Sequence, residues 1–150
     1  MEGNKDFLPA TPRAVVNFLE SLGTNYRGKS ITIANRTSLI GKPLAMYLTS
    51  MGANVSIINS SCQNPKTFIK NSDIFISAIG KAAFYDKTYF KEGSFIIDVG
   101  TSYINGKIVG DIDVDSISEM EINYLGSKSG IGAITTITLL EGMIDNANSK

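Results

Sequence analysis

The sequence predicts an α/β fold in three layers (αβα), a Rossmann-like, doubly wound parallel sheet with helices on both faces. Short runs rich in isoleucine and valine alternate along the chain with segments of helical periodicity, which is the pattern of a parallel sheet covered on both sides. A length of 150 residues suits one domain with a sizeable core. We therefore expect residues 1–150 to form a single domain, with residues 1–8 as a flexible N-terminal segment.

The composition excludes several classes of function. Basic and acidic residues number 14 each, so nothing indicates a surface for nucleic acid. The absence of histidine excludes imidazole catalysis and histidine metal ligands within this chain. The single Cys62 cannot form an internal disulfide, which is typical of a reducing compartment such as the cytoplasm. We find neither a signal peptide nor an apolar run long enough to span a membrane.

The predicted elements follow one another in regular order. Thr11 is the expected N-cap of a first helix that has Pro12 at its first position and ends at Gly23. A buried strand is expected from Ser30, and the next helix begins at about Pro43. Further strands are predicted at residues 53–58, 73–78, 94–99 and 122–125, short helices at 66–71, 85–90 and 115–120, an Asn-Gly hairpin at 103–109, and a last helix at 133–146.

The segment of residues 30–45 is the most informative part of the chain. Ile31 and Ile33 alternate with small residues, as in a short core strand, and a polar loop and a helix follow. A strand that ends at a helix N-terminus leaves free backbone N–H groups, which favour an anion. Arg36 and Lys42 add positive charge there, so the pattern indicates a phosphate site. An ordinary strand–helix unit explains the local pattern equally well, and the common glycine-rich nucleotide fingerprints are absent.

Asn59 and Ser60 follow the second predicted strand, where a doubly wound fold places the adenosine ribose of a dinucleotide. An acidic residue at this point would repel a 2′-phosphate, and the chain has none there. Together with Arg36, this favours NADP over NAD. The alternative, which we weight equally on local pattern alone, is that Asn59 and Ser60 are simply turn residues.

Several aspartates lie in the second half of the chain. Asp98 falls within an apolar strand, and we interpret it as a buried carboxylate that fixes neighbouring backbone N–H groups. Asp111, Asp113 and Asp115 occupy alternate positions, as in some divalent-metal sites. Capping or flanking of a short helix is the favoured interpretation, so we assign neither a metal site nor a catalytic residue.

Taken in order, these motifs resemble those of the C-terminal NAD(P)-binding domain in the methylenetetrahydrofolate dehydrogenase/cyclohydrolase family. The members of this family are bifunctional one-carbon enzymes. The family's P-C-T-P stretch corresponds to residues 9–12, and its G-R-S-x-x-V-G-x-P stretch to residues 35–43. Its H-S and A-x-G-K stretches correspond to residues 59–60 and 78–81. Its D-V-G-I and G-D-V stretches correspond to residues 98–101 and 110–112, and residues 129–135 only echo its P-G-G-V-G-P-M-T stretch. The resemblance covers nearly the whole chain.

The resemblance implies NADP as the cofactor. It implies that Asn35, Arg36 and Thr37 cradle the phosphates, that Arg36 and Ser60 contact the 2′-phosphate, and that Thr101 lies beside the nicotinamide. This chain has Asn35 and Asn59 where the family has glycine and histidine. The candidate cofactor-binding residues are Asn35, Arg36, Thr37, Ile40, Gly41, Lys42, Asn59, Ser60, Ala78, Gly80, Lys81, Gly100 and Thr101.

The resemblance also implies that the folate site and a helical Tyr-x-x-x-Lys pair belong to an N-terminal domain, which we expect to be absent from this chain. Tyr103–Lys107 and Tyr124–Lys128 have this spacing, but neither pair has helical geometry. The first pair spans the predicted hairpin, and the second enters the predicted glycine loop. We therefore expect a cytoplasmic chain that binds NADP and is inactive alone. It would act on the folate substrate only with that second domain, and it would form a homodimer.

Two other hypotheses stay open. The chain could be a non-catalytic nucleotide-binding or interaction module, a degenerate or split paralogue in which Asn35, Asn59 and the altered glycine loop mark a changed ligand. It could also be an enzyme of a related one-carbon type that acts on a different pterin carrier. Cofactor binding tests the first of these hypotheses, and turnover with each carrier tests the second.

Overall fold

The computed structural model describes residues 5–35 and 39–126. Short 3₁₀ turns occur at Lys5–Phe7 and Lys87–Tyr89. The other elements, in chain order, are α1 (Ala10–Ser21), β1 (Ser30–Asn35), α2 (Gly41–Ser50), β2 (Asn54–Ile58), α3 (Pro65–Lys70), β3 (Ile74–Ala78), β4 (Phe95–Asp98), β5 (Ser102–Ile104), β6 (Lys107–Val109), α4 (Val114–Ile117) and β7 (Asn123–Gly126).

Five strands form one parallel sheet in the order β2-β1-β3-β4-β7. The order reverses between β1 and β3, because the chain goes from β1 to one neighbour, β2, and then returns to the other, β3. Ligands of open α/β sheets bind at such a reversal, beyond the carboxyl ends of the strands. The parallel sheet and the Rossmann-like class predicted from the sequence are confirmed.

The two faces of the sheet carry separate apolar clusters, since successive residues of a strand point to opposite sides. On β3, Ile76 belongs to the cluster that includes Val15 and Leu19 of α1 and Leu48 of α2. Its neighbour Phe75 belongs to the other cluster, together with Ile69, Tyr85, Phe90, Ile112 and Ile117. Both faces are therefore covered, which produces the three layers.

The amino ends of the strands are fastened to one another by hydrogen bonds. The backbone N–H of Ser30 donates to Asp73 Oδ2 at 2.9 Å, and the backbone N–H of Asp73 donates to the carbonyl of Ser30 at 2.8 Å. Phe95 N donates to the carbonyl of Asp73, and Asn123 N donates to that of Ser94. We call this row of contacts the amino edge of the sheet.

The start of α1 differs from the prediction. The helix begins at Ala10 with Pro9 at the N-cap, and no side chain caps it. Thr11 lies inside the helix, so its predicted N-cap role is wrong. The physical reason is that Pro9 has a helix-compatible φ of −58° and no N–H to satisfy, while its carbonyl accepts from Arg13 N at 2.9 Å.

Other boundaries also shift. The second helix begins at Gly41 rather than at about Pro43. The helix predicted at 115–120 is a single turn at Val114–Ile117, and of the helix predicted at 85–90 only the 3₁₀ turn Lys87–Tyr89 forms. That turn follows Asp86, whose carboxylate accepts from Thr88 N at 2.9 Å. The predicted glycine loop and last helix lie outside the described residues.

The predicted hairpin is confirmed as β5 and β6, which pair antiparallel with Ile104 opposite Lys107. Its two turn residues both have positive φ, 51° at Asn105 and 77° at Gly106. This is the Asn-Gly turn that matches the twist of hairpin strands. Tyr103 and Lys107 consequently lie on different strands, and they do not form a helical pair.

Candidate functional site

A cavity of about 450 Å³ opens at the carboxyl edge of the sheet, where the strand order reverses. We call it the crevice. Four of the residues predicted from the sequence to bind a cofactor line it, namely Asn35, Asn59, Ser60 and Lys81. The rest of its described lining is Ile58, Cys62, Pro65, Ile79, Phe84, Tyr85 and Tyr89.

Asn35 lies at the carboxyl end of β1 and is almost fully buried. Its Oδ1 atom is also buried and has no hydrogen-bond partner among the residues that the structure describes. A buried carbonyl oxygen without a donor is costly, so this atom is suited to accept from a ligand or a water molecule in the crevice. The side chain also faces the start of α2, because a Cβ on Gly41 would lie 2.8 Å from Asn35 Nδ2.

Asn59 and Ser60 follow β2 at the opposite wall and are exposed. Asn59 Oδ1 accepts from Ser61 N at 2.8 Å, which is an Asx turn. The turn interpretation of Asn59 is therefore confirmed, and both residues still line the crevice. The two sequence interpretations are compatible at this position.

The loop after β3 forms the middle of the crevice. Gly80 has a φ of 71°, and within residues 5–35 and 39–126 the only atom within 4 Å of a Cβ built on it is the carbonyl oxygen of Thr101, at 4.0 Å. The open space beside Gly80 lets a ligand approach the backbone closely. Lys81 is exposed and brings a positive charge to the lining.

An aromatic wall of Phe84, Tyr85 and Tyr89 closes the remaining side. The ring centroids of Tyr85 lie 4.9 Å from those of both Phe84 and Tyr89, with edge-to-face geometry. Lys81 Nζ lies 5.3 Å from the Phe84 ring centroid, and Lys66 Nζ lies 5.0 Å from that of Tyr89. Burial, and next the negative charge of Asp111, raise the pKa of the Tyr85 hydroxyl, which therefore stays neutral.

This wall was not predicted from the sequence. The only signal was that Phe84, Tyr85 and Tyr89 follow closely after Gly80 and Lys81. Loop aromatics have no periodicity that could show which way they face, so the signal was too weak to use.

Two fully buried carboxylates lie beneath the loop after β3. Asp98 accepts hydrogen bonds of 3.0–3.1 Å from the backbone N–H groups of Gly100, Asp111 and Ile112 and from the Tyr124 hydroxyl. This confirms the interpretation of Asp98 as a carboxylate that fixes backbone donors. Burial, and next the charge of Asp111, raise the pKa of the Asp98 carboxyl to about 6.

The alternating aspartates have separate roles. Asp111 is buried and accepts from three donors, one within β3 and two in the loop after it, and Asp113 caps α4 by accepting from Ser116 N at 3.4 Å. The capping interpretation is therefore right for Asp113. Within residues 5–35 and 39–126, no group of three or more Cys, Asp or Glu side chains could hold a metal ion.

The other predicted residues that the structure describes lie around the crevice rather than in its lining. Ile40, Gly41 and Lys42 stand at the start of α2, and Ala78 pairs with Asn35 at the end of β3. Gly100 and Thr101 follow β4, where a Cβ on Gly100 would overlap the Asp111 carboxylate at 2.1 Å. Arg36 and Thr37 lie outside the described residues.

The crevice and the residues around it fit a dinucleotide in both position and chemistry. Its position at the strand-order reversal is the usual one for such ligands. The unpartnered Asn35 oxygen can accept from a hydroxyl. The open backbone at Gly80 lets a phosphate approach, and the Lys81 cation can balance the phosphate charge.

In the part of the chain that the structure describes, no helix is long and apolar enough to cross a membrane.

Comparison with known proteins identifies the same kind of domain. Residues 9–150 match the family model described as tetrahydrofolate dehydrogenase/cyclohydrolase, NAD(P)-binding domain. The bifunctional protein FolD of Clostridium novyi is 38% identical over 144 residues, which is 96% of this chain and 52% of that protein. FolD of Clostridium botulinum strain Alaska E43 is 39% identical over 139 residues, 93% of this chain and 49% of that protein.

Solved structures show the same relationship. The bifunctional 5,10-methylenetetrahydrofolate dehydrogenase/cyclohydrolase of Thermoplasma acidophilum is 33% identical with a TM-score of 0.75, and the match covers 95% of this chain and 51% of that one. The Trypanosoma brucei enzyme, solved in complex with NADP and an inhibitor, is 26% identical with a TM-score of 0.73, and the match covers 95% of this chain and 52% of that one. This chain thus spans about half the length of these relatives, and it belongs to the tetrahydrofolate dehydrogenase/cyclohydrolase family through its NAD(P)-binding domain.

Proposed function

We propose that this chain binds NADP in the crevice and holds it for hydride transfer in a methylenetetrahydrofolate dehydrogenase. The observation that carries the proposal is the crevice itself, which lies at the strand-order reversal and contains the buried, unpartnered Oδ1 of Asn35. The NAD(P)-binding family of the domain and the NADP complex of the Trypanosoma brucei relative support this choice of ligand.

Each candidate residue has a chemical role in the proposal. Lys81 and the N–H groups at the start of α2 would neutralise phosphate charge, and Gly80 would let the cofactor lie against the backbone. Asn35 would contact a cofactor hydroxyl. Arg36 and Ser60 would bind the 2′-phosphate, since the arginine fork matches a phosphate group bidentately.

In the complete enzyme the nicotinamide of bound NADP would accept a hydride from the methylene carbon of 5,10-methylenetetrahydrofolate. The task of this domain is then to bind and orient the cofactor, and the folate substrate requires a second domain. A homodimer and a cytoplasmic location belong to the same proposal. They rest on the family resemblance and on the reduced state expected of the lone Cys62.

Calorimetric titration of the purified chain with NADP and with NAD tests the proposal. We expect NADP to bind more tightly than NAD, and Arg36→Ala to weaken NADP binding at least about tenfold while it changes NAD binding much less. Arg27→Ala is the matched control, because Arg27 is an exposed arginine in the loop before β1, at the far end of the sheet.

Other results would point elsewhere. If neither dinucleotide binds, the oxidoreductase role is wrong and the non-catalytic interaction module becomes the working hypothesis. Turnover by the chain alone would also contradict the proposal, because the domain is expected to be inactive without a folate site. Turnover with a pterin carrier other than tetrahydrofolate would favour the related one-carbon enzyme.

A further inference from the structure

We propose that Asp111 is a positioning residue of the cofactor site, which holds two walls of the crevice in place from beneath. This inference rests on the proposed function, since it assigns a role to a residue that does not line the crevice. The carboxylate of Asp111 contacts one of these walls, and its backbone contacts the other.

The carboxylate of Asp111 holds the loop after β3. Its Oδ2 accepts from Ser77 Oγ at 2.7 Å and from Ile79 N at 2.8 Å, and its Oδ1 accepts from Lys81 N at 3.1 Å. Two of these donors flank Gly80, so the carboxylate fixes the stretch of backbone that a ligand would approach. Because Asp111 is fully buried, solvent does not compete for these bonds.

The backbone of the same residue holds the aromatic wall. The carbonyl of Asp111 accepts from Tyr85 N at 2.9 Å, while the carbonyl of Tyr85 accepts from Asp113 N at 2.8 Å. Tyr85 is thus tied to the strand-like segment around Ile112, with which it forms a parallel bridge. One residue therefore connects the loop that carries Lys81 with the wall that carries Tyr85.

Asp111 is itself held in place. Asp98 accepts from the backbone N–H of Asp111 at 3.0 Å, and the Asp98 carboxylate is fixed in turn by the Tyr124 hydroxyl. Neither carboxylate has room to move. A Cβ on Gly100 would overlap Asp111, and a Cβ on Gly110 would overlap Asp98 Oδ2, both at 2.1 Å. This rigid packing suits a residue that positions the loop after β3.

The test compares Asp111→Asn with the unchanged full chain by calorimetric titration with NADP. The amide is nearly isosteric, but its NH₂ group cannot accept from Ile79 N or Lys81 N, so the loop loses at least one anchor. We expect NADP affinity to fall about tenfold or more per folded molecule. We also expect faster hydrogen exchange at the amides of Ile79 and Lys81.

Asp73→Asn is the matched control. It makes the same chemical change to a carboxylate that accepts a backbone N–H, but at the amino end of β3. It removes the same negative charge, so it separates loop positioning from the general attraction of an anionic ligand. We expect its NADP affinity and the exchange of the Ile79 and Lys81 amides to match those of the unchanged chain.

The outcomes are distinct. If folded Asp111→Asn binds NADP within about twofold of the unchanged chain, Asp111 is merely structural and the inference is overturned. If the unchanged chain binds no NADP, the proposed function fails first and takes the inference with it. If Asp111→Asn does not fold, Ser77→Ala removes one of the three carboxylate donors, and an affinity equal to that of the unchanged chain would then count against the inference.

Discussion

Asn35 and Gly41 act as a pair at the point where β1 passes into α2. Asn35 fills the space beside Gly41, whose missing Cβ would lie 2.8 Å from Asn35 Nδ2 and 3.1 Å from Asn35 Cβ. The glycine is needed here for close approach rather than for an unusual backbone angle. Glycine is therefore required at position 41 only because the Asn35 side chain lies opposite it.

A double-mutant cycle tests this dependence. Gly41→Ala should destabilise the chain by about 1 kcal/mol, because the new methyl displaces Asn35. In an Asn35→Gly background the same change should stabilise it by up to about 1 kcal/mol, since alanine is the better helix residue. Urea unfolding of the four variants measures both effects. Equal effects in the two backgrounds would show that the residues are independent.

Asp98 makes the stability of the fold depend on pH. The pKa of its carboxyl rises from 3.8 to about 6 on folding, first because of burial and then because of Asp111. The folded state therefore binds more protons than the unfolded state between these values. By linkage, the contribution of Asp98 to stability is full below pH 3.8 and is lost as pH rises through about 6.

We expect the unchanged chain to lose about 1 kcal/mol relative to Asp98→Asn between pH 5 and pH 7.5, because the amide cannot take up a proton. Asp98→Asn should still be the less stable protein, since Asn presents fewer acceptors to the buried donors. Urea unfolding of both proteins at several pH values gives the difference. A difference that is independent of pH would contradict the assignment.

The elements of the fold divide into those that local sequence predicts and those that depend on distant contacts. The strands before Asn35, Asn59 and Ala78 are predictable from their apolar runs, and parallel strands bring their carboxyl ends together. The sequence therefore indicated most of the polar lining of the crevice. The aromatic wall was not predictable, because Tyr85 is held by the carbonyl of Asp111, far along the chain.

Helix starts were less predictable than strands for a similar reason. Proline at position 9 fits equally well outside the helix or at its N-cap, and only the carbonyl bond to Arg13 shows which one occurs. The hairpin was predictable because its turn chemistry is local. Asn-Gly is one of the few pairs that adopts two positive φ angles in succession.

Gly106→Ala tests the hairpin turn. Its φ of 77° strains any residue with a Cβ, so we expect the free energy of unfolding to fall by about 1 kcal/mol. Asn105→Gly is the control and should change stability little, because glycine adopts positive φ without strain. Urea unfolding followed by circular dichroism measures both variants. Unchanged stability of Gly106→Ala would mean that the turn does not constrain the folded chain.

At the scale of the whole molecule, the described residues form two apolar cores separated by one sheet, and one of these two adjoins the crevice. Phe75 packs edge-to-face on Tyr85, with ring centroids 5.1 Å apart, so its core supports the aromatic wall. Ile76, the next residue, is buried against α1 and α2 on the other face. Both cores should therefore contribute to folding, but only the core around Phe75 should affect ligand binding.

Phe75→Ala and Ile76→Ala should each lower the free energy of unfolding, by about 3–5 and about 2–5 kcal/mol respectively. Only Phe75→Ala should also weaken NADP binding, because it removes the support of Tyr85. Urea unfolding and NADP titration, both made below the melting temperature of each variant, provide the comparison. An equal loss of affinity in Ile76→Ala would show that the wall responds to the whole core.

The amino edge holds the sheet together at the end opposite the crevice, so the lining of the crevice can change while the sheet stays intact. Ser30, Asp73 and Ser94 fasten the strands at one end, while the residues that line the crevice stand at the strand ends and in the loops at the other. A substitution of the Asn59 or Lys81 side chain thus changes the lining of the crevice without breaking the bonds that register the sheet. Under the proposed function, the nucleotide preference can therefore change by single substitutions, each of which leaves the protein folded.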